Sequence, residues 1–280
     1  MSHDHTDVGS CRYETVNGLA VHVVDRGDGP AVVMVHGSQA WAYAWRYQIP
    51  LLSRHGYRAI SLDLPGSGYS DPMPGNIGIE ELSGFLAATL DRLQVDQAFF
   101  VASSAGGLPV LDLAIRRPER INGLILSSAY GVPHRLPWLW RAVRVPLAGE
   151  ALRFFLTPGV IRANLHQAFY CKELVHDEMV AAYLTPLRRR GAWSAQVRME
   201  RNWRPAFVEG NLACITAPSL VVWGENDTWH PPAMAGEFKR RLAHAEVVTL
   251  PQCGHLPHEE KPDEFNEILL DWLGRHASGI

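Results

Sequence analysis

The stretch "VASSAGGLP", residues 101–109, has the pattern of a strand that turns sharply into a helix. Such a turn is so tight that only small side chains fit two positions before and two positions after a nucleophile at its apex. Around Ser104 these positions hold Ala102 and Gly106, whereas around Ser103 the first of them is a valine. The spacing therefore favours Ser104 over Ser103 as a candidate nucleophile.

A second interpretation fits the same stretch equally well, namely a strand followed by a serine-capped, glycine-rich helix start. Ala102 also stands where the G-x-S-x-G pattern of nucleophilic serines has its first glycine. The stretch alone leaves both interpretations open, so the rest of the chain has to decide between them.

Short, nearly continuous apolar runs recur along the chain and predict strands that are buried on both faces of a mainly parallel sheet. They cover residues 20–24, 31–35, 58–62, 98–102, 124–128, 219–223 and 246–250. Residues 78–94 and 263–276 carry apolar residues at helical spacing instead. Alternating strands and helices predict an α/β fold, with a mostly parallel central sheet flanked by helices.

One region breaks this alternation. Residues 131–210 contain helical patterns, prolines and four tryptophans, but no strand signal. We predict that this segment is a helical cap inserted into a core that is formed by residues 1–130 and 211–280. It would cover the carboxyl ends of the strands, which is where ligands bind in open α/β sheets.

The composition excludes several classes of protein. The chain has 280 residues and a net charge of -3, with 47% hydrophobic and 20% charged residues, so no strong field for nucleic acid or membranes is implied. It contains no apolar run of about 18 residues, and we therefore expect no transmembrane helix. The polar segment 1–10 lacks a signal-peptide core, which predicts a cytoplasmic protein.

The cysteine pattern argues against metal or disulfide chemistry. Cys11, Cys171, Cys214 and Cys253 form no C-x-x-C pair, so we expect neither a zinc site nor a disulfide framework. We expect no metal and no cofactor. A small-molecule substrate is the expected partner, and the oligomeric state is left open.

A serine hydroxyl needs a base and an orienting carboxylate before it can act as a nucleophile. His255 follows the last predicted strand on a loop that can reach the edge of the sheet, and His258 is its rival. Asp227 follows the preceding predicted strand and is favoured over Glu225, although an Asx turn explains this loop as well. The order Ser104, Asp227, His255 is that of the hydrolase triad on such a sheet.

An acyl-transfer site also needs donors for the developing oxyanion. Gly37 permits a tight turn after the strand at 31–35, which can direct the backbone N–H of Ser38 inward. The N–H of Ala105, directly after the candidate nucleophile, would be the second donor. We interpret the loop at 62–71 as structural, with Asp63 bracing it.

Three tryptophans lie near the predicted site and suggest an apolar pocket for a ring or a medium acyl chain. They are Trp41 on the predicted oxyanion loop, and Trp138 and Trp140 at the start of the predicted cap. An equally good alternative is that they anchor the cap to the core.

Five segments together carry a family resemblance: "HGSQAWAYAW", "SLDLPGSGYSD", "ASSAGG", "PSLVVWGENDTW" and "CGHLPHEEKPDEF". The chain resembles α/β-hydrolase-fold proteins with a helical cap, and is most similar to the branch of haloalkane dehalogenases, epoxide hydrolases and C–C bond hydrolases. Dehalogenases and epoxide hydrolases of that branch use an aspartate nucleophile, whereas Ser104 stands at that place here. C–C hydrolases usually carry a Gly-Pro-Gly-type loop after the His-Gly pair, and this chain has "SQAW".

The expected function is therefore that of a serine hydrolase acting on an ester, thioester or lactone of a small to medium apolar molecule. The same triad would also serve a lyase, a cyclase or a C–C bond hydrolase by proton transfer, since a fold does not fix a function. A small-molecule receptor is a further alternative.

The predicted cap is cationic, because residues 131–210 contain eleven arginines and one lysine against six acidic residues. The simpler explanation is that these side chains solvate helices and attract the anionic core. The alternative is that they draw in a substrate with a carboxylate or phosphate group.

Overall fold

The computed structural model describes residues 11–133, 144–145 and 148–277. Its strands are β1 (Cys11–Val16), β2 (Leu19–Arg26), β3 (Ala31–Val35), β4 (Arg58–Leu62), β5 (Ala98–Ser103), β6 (Ile121–Ser127), β7 (Ser219–Gly224) and β8 (Ala245–Leu250). They form one eight-stranded sheet in the order β1-β2-β4-β3-β5-β6-β7-β8. The pairs β1–β2 and β2–β4 are antiparallel, and all other neighbours are parallel.

The predicted α/β fold is confirmed, and β1 is the strand that the apolar runs missed. Its side chains are mostly exposed, because β1 lies at the edge of the sheet. It forms a hairpin with β2 through Asn17 and Gly18, which have φ values of 49° and 79°. An Asn-Gly pair is a strong signal for this kind of turn, but β1 is too polar to stand out as an apolar run.

Helices flank the sheet on both faces. The helices of the described residues are α1 (Gln48–Arg54), α2 (Ile79–Arg92), α3 (Gly107–Arg116), α4 (Ala148–Ala151), α5 (Pro158–Ala168), α6 (Asp177–Leu187), α7 (Ala192–Asn202), α8 (Ala206–Asn211), α9 (Ala233–Arg241), α10 (Pro257–Glu260) and α11 (Pro262–His276). α2, α3 and α9 pack on one face through side chains such as Phe85 and Phe238. α1 and α11 pack on the other face, where Trp45, Ile49 and Trp272 are buried.

The segment between β6 and β7 is helical where the structure describes it. Residues 148–218 contain α4 to α8 and no strand. Ile161 and Leu165 on α5, and Leu187 on α6, line a cavity together with Ser104 at the end of β5. The helices therefore lie over the carboxyl end of the sheet. The division of the chain at 130/131 and 210/211 stays a prediction.

Candidate active site

Ser104 lies at the apex of the turn between β5 and α3. Its φ of 49° is in the left-handed region, which places it between the extended Ser103 and the helical turn that follows. A Cβ on Gly106 would lie 2.4 Å from the backbone oxygen of His36, and a Cβ on Gly37 would lie 2.9 Å from the Cβ of Ser104. The turn therefore has room only for small residues at these positions.

His255 and Asp227 lie next to Ser104 although they are far from it in the chain. The Oγ of Ser104 is 2.9 Å from the Nε2 of His255, and the Nδ1 of His255 is 2.8 Å from the Oδ2 of Asp227. Both His255 and Asp227 are buried. The structure thus brings together the three side chains that the sequence singled out, in the geometry of a nucleophile, a base and an orienting carboxylate.

The surroundings of Asp227 keep its carboxylate ionised. Burial alone would raise its pKa, but the adjacent His255 and His230 outweigh burial and hold the pKa of Asp227 below its ordinary value. The other oxygen, Oδ1, accepts hydrogen bonds from the backbone N–H groups of Trp229 and His230, both at 2.9 Å. The carboxylate is therefore fixed in orientation, with Oδ2 facing His255.

The loop that carries His255 is held between the core and α5. The backbone N–H of His255 donates to the carbonyl of Ala168 at 2.6 Å, and the N–H of Gly254 donates to the Oε2 of Glu260 at 2.7 Å. A Cβ on Gly254 would lie 2.1 Å from the oxygen of Ala168, so this position requires glycine. Glu260 was not among the candidate residues, and it positions this loop.

The rival candidates take no part in the hydrogen bonds that join Ser104, His255 and Asp227. His258 stacks on Trp45 with ring centroids 4.2 Å apart, and its Nδ1 is 3.2 Å from the Oγ of Ser127. Glu225 is exposed on the loop after β7, whereas Asp227 is buried. Ser103 is extended and its Oγ has no hydrogen-bond partner among the described residues.

Both predicted oxyanion donors are close to the candidate nucleophile. Ala105 follows Ser104 in the turn, and Ser38 lines the same cavity as Ser104. The hydroxyl of Ser38 donates to the Oε1 of Glu200 on α7 at 2.9 Å. Their role as oxyanion donors stays a prediction.

Asp63 braces its loop as expected. Its Oδ1 accepts from the backbone N–H of Ala42, and its Oδ2 accepts from the N–H of Tyr69, both at 2.8 Å. A Cβ on Gly68, which has a φ of 49°, would lie 2.0 Å from the Oδ2 of Asp63. Both oxygens of the Asp63 carboxylate therefore hold the backbone around the loop that follows β4.

The cavity beside Ser104 has a volume of about 40 Å³. The described residues that line it are Gly37, Ser38, Gln39, Ala40, Ala44, Ser103, Ser104, Ile161, Asn164, Leu165, Tyr183, Leu187, Trp229, His255, Leu256, His258 and Glu259. A volume of this size holds about three water molecules.

Trp41 lies between the loop after β3 and the helical segment, and its contact with a substrate stays a prediction. Its indole N–H donates to the carbonyl of Ala182 on α6 at 2.9 Å, and its ring stacks on Tyr43 with centroids 5.8 Å apart. Trp41 is not among the residues that line the cavity. This hydrogen bond connects the core to the helical segment, as expected if Trp41 anchors the cap to the core. Trp138 and Trp140 lie outside the described residues.

Several residues of this site were missed by the sequence analysis. Trp229 lines the cavity and lies against His255, with ring centroids 4.9 Å apart. Tyr183, Glu200 and Glu259 are contributed by helices α6, α7 and α10. Trp229 is close to Asp227 in the sequence and could have been found by that proximity, whereas no local signal marks the other three.

The described residues contain neither a candidate metal site nor a candidate membrane-spanning helix. No group of three His, Cys, Asp or Glu side chains within residues 11–133, 144–145 and 148–277 is placed to hold a metal ion. None of the helices in these ranges is both long and apolar enough to cross a bilayer.

A mostly parallel sheet with a serine on a sharp turn at its carboxyl edge, next to a histidine and an aspartate, defines the class of α/β hydrolases. The model of the alpha/beta hydrolase family matches residues 32–268. The chain belongs to this family, and the resemblance seen in its sequence segments is confirmed.

Relatives from three activity classes resemble the chain. The chain is 27% identical over 301 residues to bifunctional epoxide hydrolase 2 of Sus scrofa. The alignment covers 93% of this chain and 54% of that protein, so the chain spans about half of the relative's length. It is 28% identical over 285 residues to 2-hydroxy-6-oxononadienedioate/2-hydroxy-6-oxononatrienedioate hydrolase of Comamonas testosteroni, covering 94% and 96% of the two chains. The structure of haloalkane dehalogenase DbeA from Bradyrhizobium elkani USDA94 superimposes with a TM-score of 0.84 at 25% identity, covering 97% and 99%.

Proposed function

We propose that this protein is a serine hydrolase that cleaves an ester, thioester or lactone of a small molecule through an acyl-enzyme. The observation that carries the proposal is the hydrogen-bonded chain from Ser104 through His255 to Asp227, at 2.9 and 2.8 Å. Because the family also contains enzymes with other nucleophiles and reactions, fold alone does not support this choice. The serine and its base support it.

The reaction runs in two halves. The Oγ of Ser104 attacks the substrate carbonyl while the Nε2 of His255 takes its proton, and the N–H groups of Ser38 and Ala105 bind the oxyanion. When the tetrahedral intermediate collapses, the imidazolium gives that proton to the leaving alcohol or thiol. His255 then removes a proton from water, which attacks the acyl-enzyme, and the proton returns to the Oγ of Ser104 as the acid departs.

Asp227 serves this cycle by remaining an anion. The low pKa of its carboxyl, set by His255 and His230 against the effect of burial, keeps a negative charge next to Nδ1. That charge holds the imidazole in the tautomer whose Nε2 accepts a proton, and it stabilises the imidazolium that follows.

A fluorophosphonate probe tests the proposal, because it labels an activated serine covalently. We expect the wild-type protein to be labelled and Ser104→Ala to lose all labelling. Ser103→Ala is a matched control, since it deletes the same hydroxyl from the adjacent buried residue, and we expect it to keep its labelling. Labelling that persists in Ser104→Ala and disappears in Ser103→Ala would overturn the assignment of the nucleophile.

A second candidate is hydrolysis of a C–C bond, which the similarity to the Comamonas testosteroni enzyme favours. The loop after His36 and Gly37 lacks the Gly-Pro-Gly pattern of that group, which favours ester cleavage instead. Turnover of 2-hydroxy-6-oxononadienedioate, compared with that of phenyl butanoate, separates the two. Faster cleavage of the dioate would make the C–C reaction the better assignment, and binding of either compound without turnover would point to a receptor.

A further inference from the structure

A second imidazole lies beside the base of the proposed triad. The ring of His230, in the loop after β7, is nearly perpendicular to the ring of His255, with centroids 4.7 Å apart and an angle of 85° between the planes. His230 is buried and is not among the described residues that line the cavity. It therefore contacts the base rather than the space beside Ser104.

The ring of His230 is anchored at the end of β6. Its Nδ1 lies 2.8 Å from the carbonyl oxygen of Ser128, the residue that directly follows this strand. Because a carbonyl oxygen can only accept a hydrogen bond, Nδ1 carries the hydrogen, and the tautomer of a neutral His230 is fixed. The same hydrogen bond limits rotation of the ring that meets His255.

The backbone of His230 is held on both sides. Its N–H donates to the Oδ1 of Asp227 at 2.9 Å, and its carbonyl accepts from the indole N–H of Trp223 at 3.0 Å. The Oδ2 of the same aspartate lies 2.8 Å from the Nδ1 of His255. One carboxylate thus holds the backbone of His230 and the side chain of His255, which sets the position of one imidazole relative to the other.

The anchor of His230 also reaches the nucleophile. Ser128 has a φ of 44°, and its N–H donates to the carbonyl of Val222 in β7 at 2.9 Å. Two residues further on, the N–H of Tyr130 donates to the carbonyl of Ser104 at 2.7 Å. The short segment 128–130 therefore connects the ring of His230 to the turn that presents the nucleophile.

His255 has to keep its orientation when one of its hydrogen bonds is absent. Its contact with the Oγ of Ser104, at 2.9 Å, is a hydrogen bond only while the hydroxyl is free. Once Oγ carries an acyl group, Asp227 and the neighbouring rings hold the imidazole while it activates water. A displacement of about 1 Å from a reactive geometry can lower a rate by about 10²-fold, so the packing around this ring matters for the rate.

We propose that His230 is a positioning residue for His255: its ring, fixed on Ser128, keeps the imidazole aligned between Asp227 and Ser104 through both halves of the reaction. This role rests on the proposed serine hydrolase function and adds a residue to it. Trp229 also packs against His255, with centroids 4.9 Å apart, but it lines the cavity and can contact a substrate as well. His230 is the neighbouring ring that can be changed without altering the described cavity wall.

Two substitutions separate the ring of His230 from its hydrogen bond. His230→Asn keeps an N–H that can donate to Ser128 but removes the ring, and we expect kcat/KM for phenyl butanoate to fall at least about tenfold. His230→Phe keeps a ring and removes the N–H, and it should stay within about threefold of the wild-type kcat/KM. Circular dichroism establishes that each variant has the native fold. Wild-type activity in His230→Asn would overturn the role, and so would an equal loss in the two variants.

His276 provides a matched control at the end of α11. Its ring stacks on Trp272 with centroids 4.2 Å apart, and its Nδ1 is 2.8 Å from the carbonyl oxygen of the same residue. His276→Asn therefore removes an aromatic contact and keeps an N–H, as His230→Asn does, but outside the described cavity wall and the triad. We expect its kcat/KM to stay within about twofold of wild type. A loss as large as that of His230→Asn would contradict a specific role of His230.

A binding measurement distinguishes positioning of the base from contact with the substrate. In the Ser104→Ala background, NMR titration with butanamide measures affinity without chemistry. Adding His230→Asn should change the Kd less than about twofold, because His230 acts on the base and not on the bound molecule. A loss of affinity as large as the loss of kcat/KM would show that His230 acts through binding and would overturn the positioning role.

An NMR signal reports the alignment of His255 directly. A hydrogen bond from Nδ1 to the ionised Asp227 shifts the Nδ1 proton far downfield. We expect this signal to be sharp in the wild-type protein and in His276→Asn, and to broaden or move upfield in His230→Asn. An unchanged signal in His230→Asn would overturn the role. Absence of ester turnover and fluorophosphonate labelling in a wild-type protein whose signal depends on His230 would overturn the proposed function alone, since the signal needs no reaction.

Discussion

At the scale of single residues, Ser104 depends on a backbone angle that side-chain-bearing residues rarely adopt. A φ of 49° costs of order 1–3 kcal/mol for a residue other than glycine, and such angles cluster at functional sites. The small neighbours Gly37 and Gly106 let the turn approach the end of β3 closely enough to hold this angle. The angle places the Oγ of Ser104 within hydrogen-bond distance of His255.

Asp227→Asn is expected to lower kcat for phenyl butanoate by about 10³-fold or more, because the amide can hold the imidazole in the wrong tautomer and cannot stabilise its charge. Steady-state kinetics checks this, with circular dichroism to establish that the fold is retained. Glu225→Gln removes a carboxylate from the same loop at an exposed position and should change kcat less than about twofold. If Glu225→Gln lowered kcat strongly and Asp227→Asn did not, the carboxylate of the triad would be Glu225 and not Asp227.

At the scale of secondary-structure elements, α7 holds the loop that follows β3. Glu200 accepts from the hydroxyl of Ser38 at 2.9 Å, and the side-chain oxygen of Gln196 accepts from the backbone N–H of Gln39 at 3.3 Å. Trp41 adds a hydrogen bond to Ala182 on α6. Helices from outside the sheet thus determine where the predicted oxyanion donor Ser38 lies.

Glu200→Gln is expected to change how stability depends on pH. Burial raises the pKa of Glu200 above its ordinary value of 4.5, although Ser38 and Arg144 oppose the shift. The carboxyl of Glu200 therefore stays protonated to higher pH in the folded protein than in the unfolded chain. As the pH rises from 4.5 through the pKa of the folded state, Glu200 lowers the free energy of unfolding. Glutamine keeps an acceptor for Ser38 but does not titrate.

Thermal unfolding of both proteins between pH 4.5 and pH 8 measures this effect. The Tm of Glu200→Gln should rise relative to that of the wild-type protein as the pH increases. Glu225→Gln, at an exposed site, serves as the control and should run parallel to the wild type. A difference between Glu200→Gln and the wild type that is the same at every pH would contradict the prediction.

At the scale of the whole molecule, several arginines in the described part of the helical segment donate hydrogen bonds to backbone carbonyls. Arg189, in the connection between α6 and α7, donates to the carbonyls of Gly68 and Ser70, and Arg198 on α7 donates to that of Met73. Both therefore join the helical segment to the loop after β4. Arg162, Arg188 and Arg201 likewise donate to backbone carbonyls. This supports the simpler explanation of the cationic segment, in which arginines stabilise helices and join them to the core.

Salt should therefore have little influence on substrate choice. We expect the ratio of kcat/KM for phenyl hemisuccinate to that for phenyl butanoate to change less than about twofold between about 10 and 500 mM salt, over which the screening length falls from about 30 Å to a few ångströms. An advantage of the hemisuccinate at low salt that disappears at high salt would instead show that the segment attracts anionic substrates.

The sequence alone determined the α/β fold and pointed to three side chains that the structure brings together. Apolar runs predict buried strands, and small residues around Ser104 indicate a tight turn, because these requirements are local. Asp227 and His255 could be found because the carboxyl ends of parallel strands meet at one edge of the sheet. Strand β1 was not predicted, because an exposed edge strand needs no apolar run.

Only the tertiary structure decided what surrounds those side chains. Tyr183 and Glu259 are separated by 76 residues, and Ser38 and Glu200 by 162, yet each pair is joined by a hydrogen bond. The same holds for Trp41, whose N–H bonds to Ala182, 141 residues away. Local patterns specify strands, helices and turns, but the partner of a buried polar group depends on how distant helices pack, because any nearby donor or acceptor can satisfy it.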